Sequence, residues 1–200
     1  MEFRGPTARH PAESAFARCA IAALFAIGIL ASCERSAPAD PRPNVLLITV
    51  DTLRADHLGT YGFPLPTSPQ IDALADDGVV FERAIAASAS PAPAHASIMT
   101  SRYTREHSIG HDNGGTKLVS GRTLAERFAE SGYRTGAFVG NIMLQPRTGF
   151  DRGFEIFDGE LVDSEPNREL IYERIAAITS ERALNWLAQG DGRPVFLWVH

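Results

Sequence analysis

Cysteine is nearly absent from this chain. Its 200 residues include two, Cys19 and Cys33, and neither lies in the stretch from Asn44 onward. That stretch has no thiol with which to close a disulfide or hold a soft metal, so any metal there must be bound by oxygen or imidazole. Positive charge is scarce too: 19 Lys and Arg stand against 24 Asp and Glu, a formal net charge of −5. Nothing basic is concentrated enough to displace the counterions of a phosphate backbone, which argues against nucleic acid as a partner. Also lacking is a membrane-spanning run. The uncharged apolar stretch CAIAALFAIGILAS, Cys19 to Ser32, falls short of the ~20 residues that a bilayer-crossing helix needs.

That stretch fits an export signal instead. Arg4, Arg9 and Arg18 precede it and small residues end it, the order of a secretory n-region, h-region and cleavage site. Leu30-Ala31-Ser32-Cys33 resembles the lipobox of bacterial lipoproteins, in which the cysteine thiol is acylated and becomes the new N-terminus; an ordinary signal peptide cleaved nearby is the alternative. The expected organisation is a signal segment over 1–32, a Ser/Ala/Pro linker over 33–43, and one domain over 44–200. The lipobox implies an exported protein of a bacterial cell envelope that meets the membrane only through a lipid anchor at Cys33.

Past the linker, apolar runs alternate with amphipathic ones. NVLLITV (Asn44 to Val50) reads as a strand buried on both faces, as do YRTGAFVG (Tyr133 to Gly140) and PVFLWVH (Pro194 to His200), since strands of a parallel sheet covered by helices are near-continuous apolar runs. VVFERAIA (Val79 to Ala86) alternates as a further strand would. Helices are expected after Ser68-Pro69, over HASIMTSR, over TLAERFAESG, and from about Asn167 to Gln189, where Leu170, Ile171, Ile175, Ile178, Leu184 and Leu187 recur at helical steps. This is an α/β chain with a mostly parallel central sheet and helices on both faces. Ligands of such sheets bind beyond the carboxyl ends of the strands.

Asp51 stands at such an end, with Asp56 and His57 shortly after it. A carboxylate there with no Lys beside it is costly unless the turn hydrogen-bonds it or a cation pairs with it. Two readings stay open: an aspartate capping the next helical turn, or a ligand of a hard divalent cation.

The runs PNVLLITVDTLRADHLGTYG, TSPQIDALADDGVVFERAIAAS, PAHASIMTSRYTREHSIG, GRTLAERFAESGYRTGAFVGN and TGFDRGFEIFD, taken in order, resemble the N-terminal part of the sulfatase family, within the alkaline phosphatase superfamily. The resemblance covers most of the chain from Pro43 to His200. It implies an alkaline-phosphatase-like fold, incomplete at the C-terminus because family members run on much further. It implies hydrolysis of sulfate esters assisted by a divalent metal ion, calcium first, with manganese or zinc as alternatives, and it places Asp51 as the first metal-binding aspartate. The substrate would be a small-molecule or glycan sulfate or phosphate ester. Many sulfatases carry a second aspartate next to the first, where this chain has Thr52.

The resemblance also implies where a nucleophile should stand. Anchored on Pro93 and Thr100-Ser101-Arg102, the motif reads Pro91-Ala92-Pro93-Ala94-His95, so proline fills the slot that holds the family's Cys or Ser. Ser90, one residue earlier, could serve if the turn is shifted by one, or could simply cap the helix that Pro91 opens. His95 could orient an anionic group or be a satisfied turn histidine. Asn113, His107 and His111 share one loop, and His200 closes the last strand. Three functions follow: a sulfate-ester hydrolase with a non-standard nucleophile site, a phosphate or phosphonate ester hydrolase or transferase of the same superfamily, or a noncatalytic surface lipoprotein. The final strand, with no helix after it, is expected to leave an edge exposed.

The anchor is testable directly. Cys33→Ser is expected to release the protein from the membrane fraction of cells; a variant that stays with the membranes would contradict the lipobox.

Overall fold

The computed structural model describes residues 41–110, 116–161, 163–165 and 168–200. The export signal, Cys33, His111 and Asn113 therefore lie outside the described residues. Four strands, β1 (Val45–Ile48), β2 (Arg134–Phe138), β3 (Ile156–Asp158) and β6 (Val195–Val199), form a parallel sheet in the order β1-β6-β2-β3. Between β3 and β6 in the chain, β4 (Asp163–Glu165) and β5 (Arg168–Glu173) pair antiparallel as a separate hairpin. The helices are α1 (Pro69–Asp76), α2 (Pro91–Thr100), α3 (Thr104–His107), α4 (Leu124–Glu130) and α5 (Ala176–Ala188).

Alternation along β6 builds two cores. Phe196 and Trp198 are fully buried on the side of α2 and α4. Trp198 there packs with Ala92, Ala96 and Met99 of α2. Phe196 stacks on Phe128 of α4 with ring centroids 4.4 Å apart. Val195 and Leu197 point the other way and meet Phe138, Ala183 and Trp186, the last two from α5. Helices thus cover both faces, as the strand pattern predicts. Truncating an aromatic as buried as Trp198 costs ~3–5 kcal/mol in other cores, so these rings dominate the packing.

Four local expectations need correction. Val79–Ala86 forms no strand; Val79, Phe81 and Ile85 are 81%, 71% and 91% exposed, because its alternation finds no sheet edge to join. The helix expected from Asn167 begins at Ala176, and Leu170 and Ile171 belong to β5. Strand β1 is buried on one face only: Leu47 packs on the α2 side, whereas Leu46 and Ile48 are 56% and 58% exposed. Finally, β6 is not an edge. It lies between β1 and β2 with hydrogen-bonded neighbours on both sides, and among the described residues β1 and β3 are the edges.

One close approach locks the loop before β3 onto α4. Gly153 has φ +87°, and a Cβ placed there would lie 2.2 Å from the backbone nitrogen of Glu126. The same junction carries the Arg152–Glu126 ion pair at 2.9 Å and the bond from the Thr123 hydroxyl to the Arg152 carbonyl at 2.9 Å. Gly153→Ala must both strain the left-handed backbone and push α4 away. It is expected to cost about 3 kcal/mol of stability in a denaturant titration; an unchanged midpoint would contradict the packing described.

Candidate functional site

The sheet brings the carboxyl ends of three strands side by side, and backbone hydrogen bonds hold them there. Thr49 N donates to Val199 O, His200 N to Phe138 O, and Gly140 N to His200 O, each at 3.0 Å. Residues just beyond β1, β6 and β2 therefore share one rim. A cavity of about 280 Å³ is lined there by Asp51, Asn141, Arg174 and His200 among others. A second, of about 450 Å³, is lined by Asp51, Ser90, Pro91 and His95. Both include Thr49, Val50 and Asp51, so Asp51 stands where they meet.

Asp51 caps no helix. Its Oδ2 accepts a 2.7 Å hydrogen bond from Asn141 Nδ2, while Asn141 Oδ1 accepts from the Met143 backbone N–H at 2.7 Å. That second bond fixes which end of the amide faces Asp51. The carboxylate is otherwise exposed, as a ligand awaiting a partner would be. The next residue, Thr52, has φ +51°, a left-handed conformation that a β-branched side chain resists. Strain of this sort persists where the surrounding structure holds a functional turn in place.

The structure unites all three site residues singled out in the sequence. Ser90 occupies the N-cap position of α2 with extended backbone, φ −114° and ψ 143°, and Pro91 follows at the first helical position, where its missing N–H and fixed φ are tolerated. Yet the Ser90 side chain makes no capping hydrogen bond. Its hydroxyl is not spent on the helix, and the residue is 8% exposed at the wall of the cavity.

His95 lies one turn into α2 and is 7% exposed. Its Nδ1 is 2.8 Å from the Pro91 carbonyl; a carbonyl only accepts, so Nδ1 carries the proton. Nε2 is buried without any hydrogen-bond partner. Burial pushes the pKa down, opposed by the Pro91 bond and by the charge of Asp51. In this tautomer Nδ1 is satisfied by its own helix and Nε2 keeps a lone pair. His107 is the satisfied one: its Nδ1 accepts from Ile109 N at 3.1 Å and its Nε2 meets Ser97 Oγ at 3.0 Å.

Thr49, Asn141 and His200 complete the site, and sequence reasoning had singled out only the last of them, as a strand-end residue without a role. The imidazole of His200 lies edge-on to that of His95, with centroids 4.6 Å apart, and its Nδ1 is 2.7 Å from Thr49 Oγ1. Its pKa is pushed down to about 4, first by burial and then by His95, against the opposing pull of Asp51 and of the Thr49 backbone. The signal available in the sequence was positional. Each polar residue stands at or just beyond the end of an apolar run that becomes a strand of the same sheet.

No group of three or more His, Cys, Asp or Glu side chains suited to a metal occurs among the described residues. Asp51 is the one carboxylate lining either cavity. A hard cation takes ~6–8 oxygens, so one carboxylate would not by itself complete a site for one.

The strain at Thr52 yields a prediction. Thr52→Asn, which adopts left-handed backbone readily, is expected to stabilise the protein by about 1 kcal/mol, a rise in Tm of ~3 °C. A fall in Tm would contradict the strained turn.

Comparison with known proteins agrees with the geometry. The Sulfatase family model matches residues 43–200. The chain is 30% identical over 170 residues to an N-acetylgalactosamine-6-O-sulfatase of Bacteroides thetaiotaomicron, covering 80% of this chain and 32% of that protein. It is 36% identical over 113 residues to the iduronate 2-sulfatase of Mus musculus, covering 56% and 20%. Among solved structures it is similar to the phosphonate monoester hydrolase of Agrobacterium radiobacter, with TM-score 0.64, 24% identity and coverage of 79% of this chain and 40% of that one. It is also similar to a protein solved with its substrate D-glucosamine-2-N,6-O-disulfate, with TM-score 0.63, 22% identity and coverage of 79% and 33%. The chain spans about a third of the length of the first of these sulfatases. With an alkaline-phosphatase-like parallel sheet and a family match over most of its length, this chain belongs to the sulfatase family.

Proposed function

We propose that this protein hydrolyses sulfate esters in the cleft at the carboxyl edge of its sheet, with Ser90 as the displaced nucleophile. The observation that carries the reading is the meeting, around one cavity, of Asp51, of Ser90, whose hydroxyl makes no capping bond, and of His95, whose buried Nε2 has no hydrogen-bond partner. Ser90 Oγ attacks the sulfur, the S–O bond to the alcohol breaks, and the hydroxyl proton passes by way of His95, whose Nε2 has no hydrogen-bond partner, to the departing alcohol oxygen. Water then hydrolyses the sulfated serine and regenerates the site.

Asp51, oriented by Asn141, supplies one oxygen ligand to a divalent cation, calcium first and manganese or zinc otherwise, whose other ligands come from beyond the described residues. Such a cation neutralises charge on ester oxygens. Sulfated amino sugars are the substrate class this reading favours, because the sulfatase of Bacteroides thetaiotaomicron and the disulfate-bound structure are named for them. The phosphonate monoester hydrolase neighbour keeps open a second reading, hydrolysis or transfer of phosphate or phosphonate esters, since both tetrahedral oxyanions need similar clamps. Anchored at Cys33, the enzyme would work on the outer side of a bacterial membrane.

Purified protein, supplied with calcium or manganese, is expected to hydrolyse an aryl sulfate faster than the matching aryl phosphate. Ser90→Ala is expected to lower that rate at least ~10³-fold without lowering Tm, and His95→Ala by ~10²-fold or more. A faster phosphate reaction would select the second reading. Full activity in Ser90→Ala would remove Ser90 from the mechanism, and no turnover of either ester would favour a noncatalytic surface protein.

A further inference from the structure

Strand pairing sets β1 and β6 in parallel with Leu47 opposite Trp198 and Ile48 opposite Val199. With side chains alternating, Leu47 and Thr49 share the α2 side of the sheet with Trp198 and His200. Thr49 is the single hydroxyl in the apolar run VLLITV, and it is placed between two aromatic nitrogens. Trp198 Nε1 donates to Thr49 Oγ1 at 3.0 Å, and His200 Nδ1 lies 2.7 Å from the same oxygen.

These contacts decide a proton position. Indole N–H is a donor only, so it occupies one lone pair of Oγ1. Were His200 Nδ1 also protonated, Oγ1 would accept twice and its own hydrogen would have no acceptor among the bonds that Thr49 makes in the described residues. With Nδ1 bare, the hydroxyl accepts once from Trp198 and donates once to His200, and every group is satisfied. The proton of a neutral His200 then sits on Nε2.

We propose that Thr49, held by Trp198, is a positioning residue that fixes His200 as its Nε2–H tautomer. A His200 ring with its proton on Nε2 thereby meets, edge-on and with centroids 4.6 Å apart, a His95 ring with its proton on Nδ1. The two histidines are set to opposite tautomers by different devices: His95 by the Pro91 carbonyl of its own helix, His200 by a hydroxyl on the neighbouring strand. This assignment rests on hydrogen-bond geometry and holds whichever ester the protein cleaves.

Long-range proton–nitrogen NMR correlations of the imidazoles in the ¹⁵N-labelled full chain at pH 7.5, with His200 assigned through His200→Gln, test it without any turnover. The expected result is a bare Nδ1 and a protonated Nε2 for His200. Thr49→Val should move the His200 nitrogens toward an average of the two tautomers, and Thr49→Ser should restore the wild-type pattern. A wild-type His200 protonated on Nδ1 would overturn the proposal, as would nitrogen shifts that Thr49→Val leaves unchanged. The wild-type spectrum decides the tautomer even if Thr49→Val does not fold, and a turnover assay that fails leaves this result standing.

Discussion

Everything at this site depends on the position of β6 in the sheet. It is late in the sequence yet central in space, paired to β1 over Val45–Ile48 and to β2 over Arg134–Phe138. Those ladders end in the backbone bonds of Thr49, Gly140 and His200. Residues 51, 141 and 200 become neighbours only because β6 bridges the two other strands. A slip of one residue would turn Trp198 and His200 to the α5 side and dissolve both the aromatic core and the histidine pair. Burial of Phe196 and Trp198 is what forbids the slip: the same rings that supply most of the packing energy specify the register.

The helix α2 adds the other half of the site. Pro91 begins it and offers its carbonyl to the ring of His95, while Ser90 just before it is left without a capping role. Proline at the helix start thus leaves the Ser90 hydroxyl just before it and pins a histidine one turn on. The result is a cleft with two neutral imidazoles, one exposed carboxylate and one uncommitted hydroxyl.

Much of this was legible in the sequence. Continuous apolar runs located β1, β2 and β6, the segments after Ser68-Pro69, over HASIMTSR and over TLAERFAESG located α1, α2 and α4, and the rule about strand ends pointed to Asp51. The errors share a cause. Val79–Ala86 has strand periodicity but joins no described strand, Leu170 and Ile171 fit a helical stripe yet lie in a hairpin strand, and β1 reads as doubly buried though Leu46 and Ile48 are exposed. Local pattern reports what a segment could bury, and only tertiary placement decides whether something covers it. Thr49 and Asn141 were invisible for a related reason, since their partners lie 151 and 90 residues away in the chain.

The most direct test is to locate a bound oxyanion. Crystals of the protein soaked with manganese and selenate, the sulfate analogue with a strong anomalous signal, should show the selenium in the cavity lined by Asp51, Ser90 and His95. A selenate bound elsewhere while that cavity stays empty would contradict a reaction site at the carboxyl edge of the sheet.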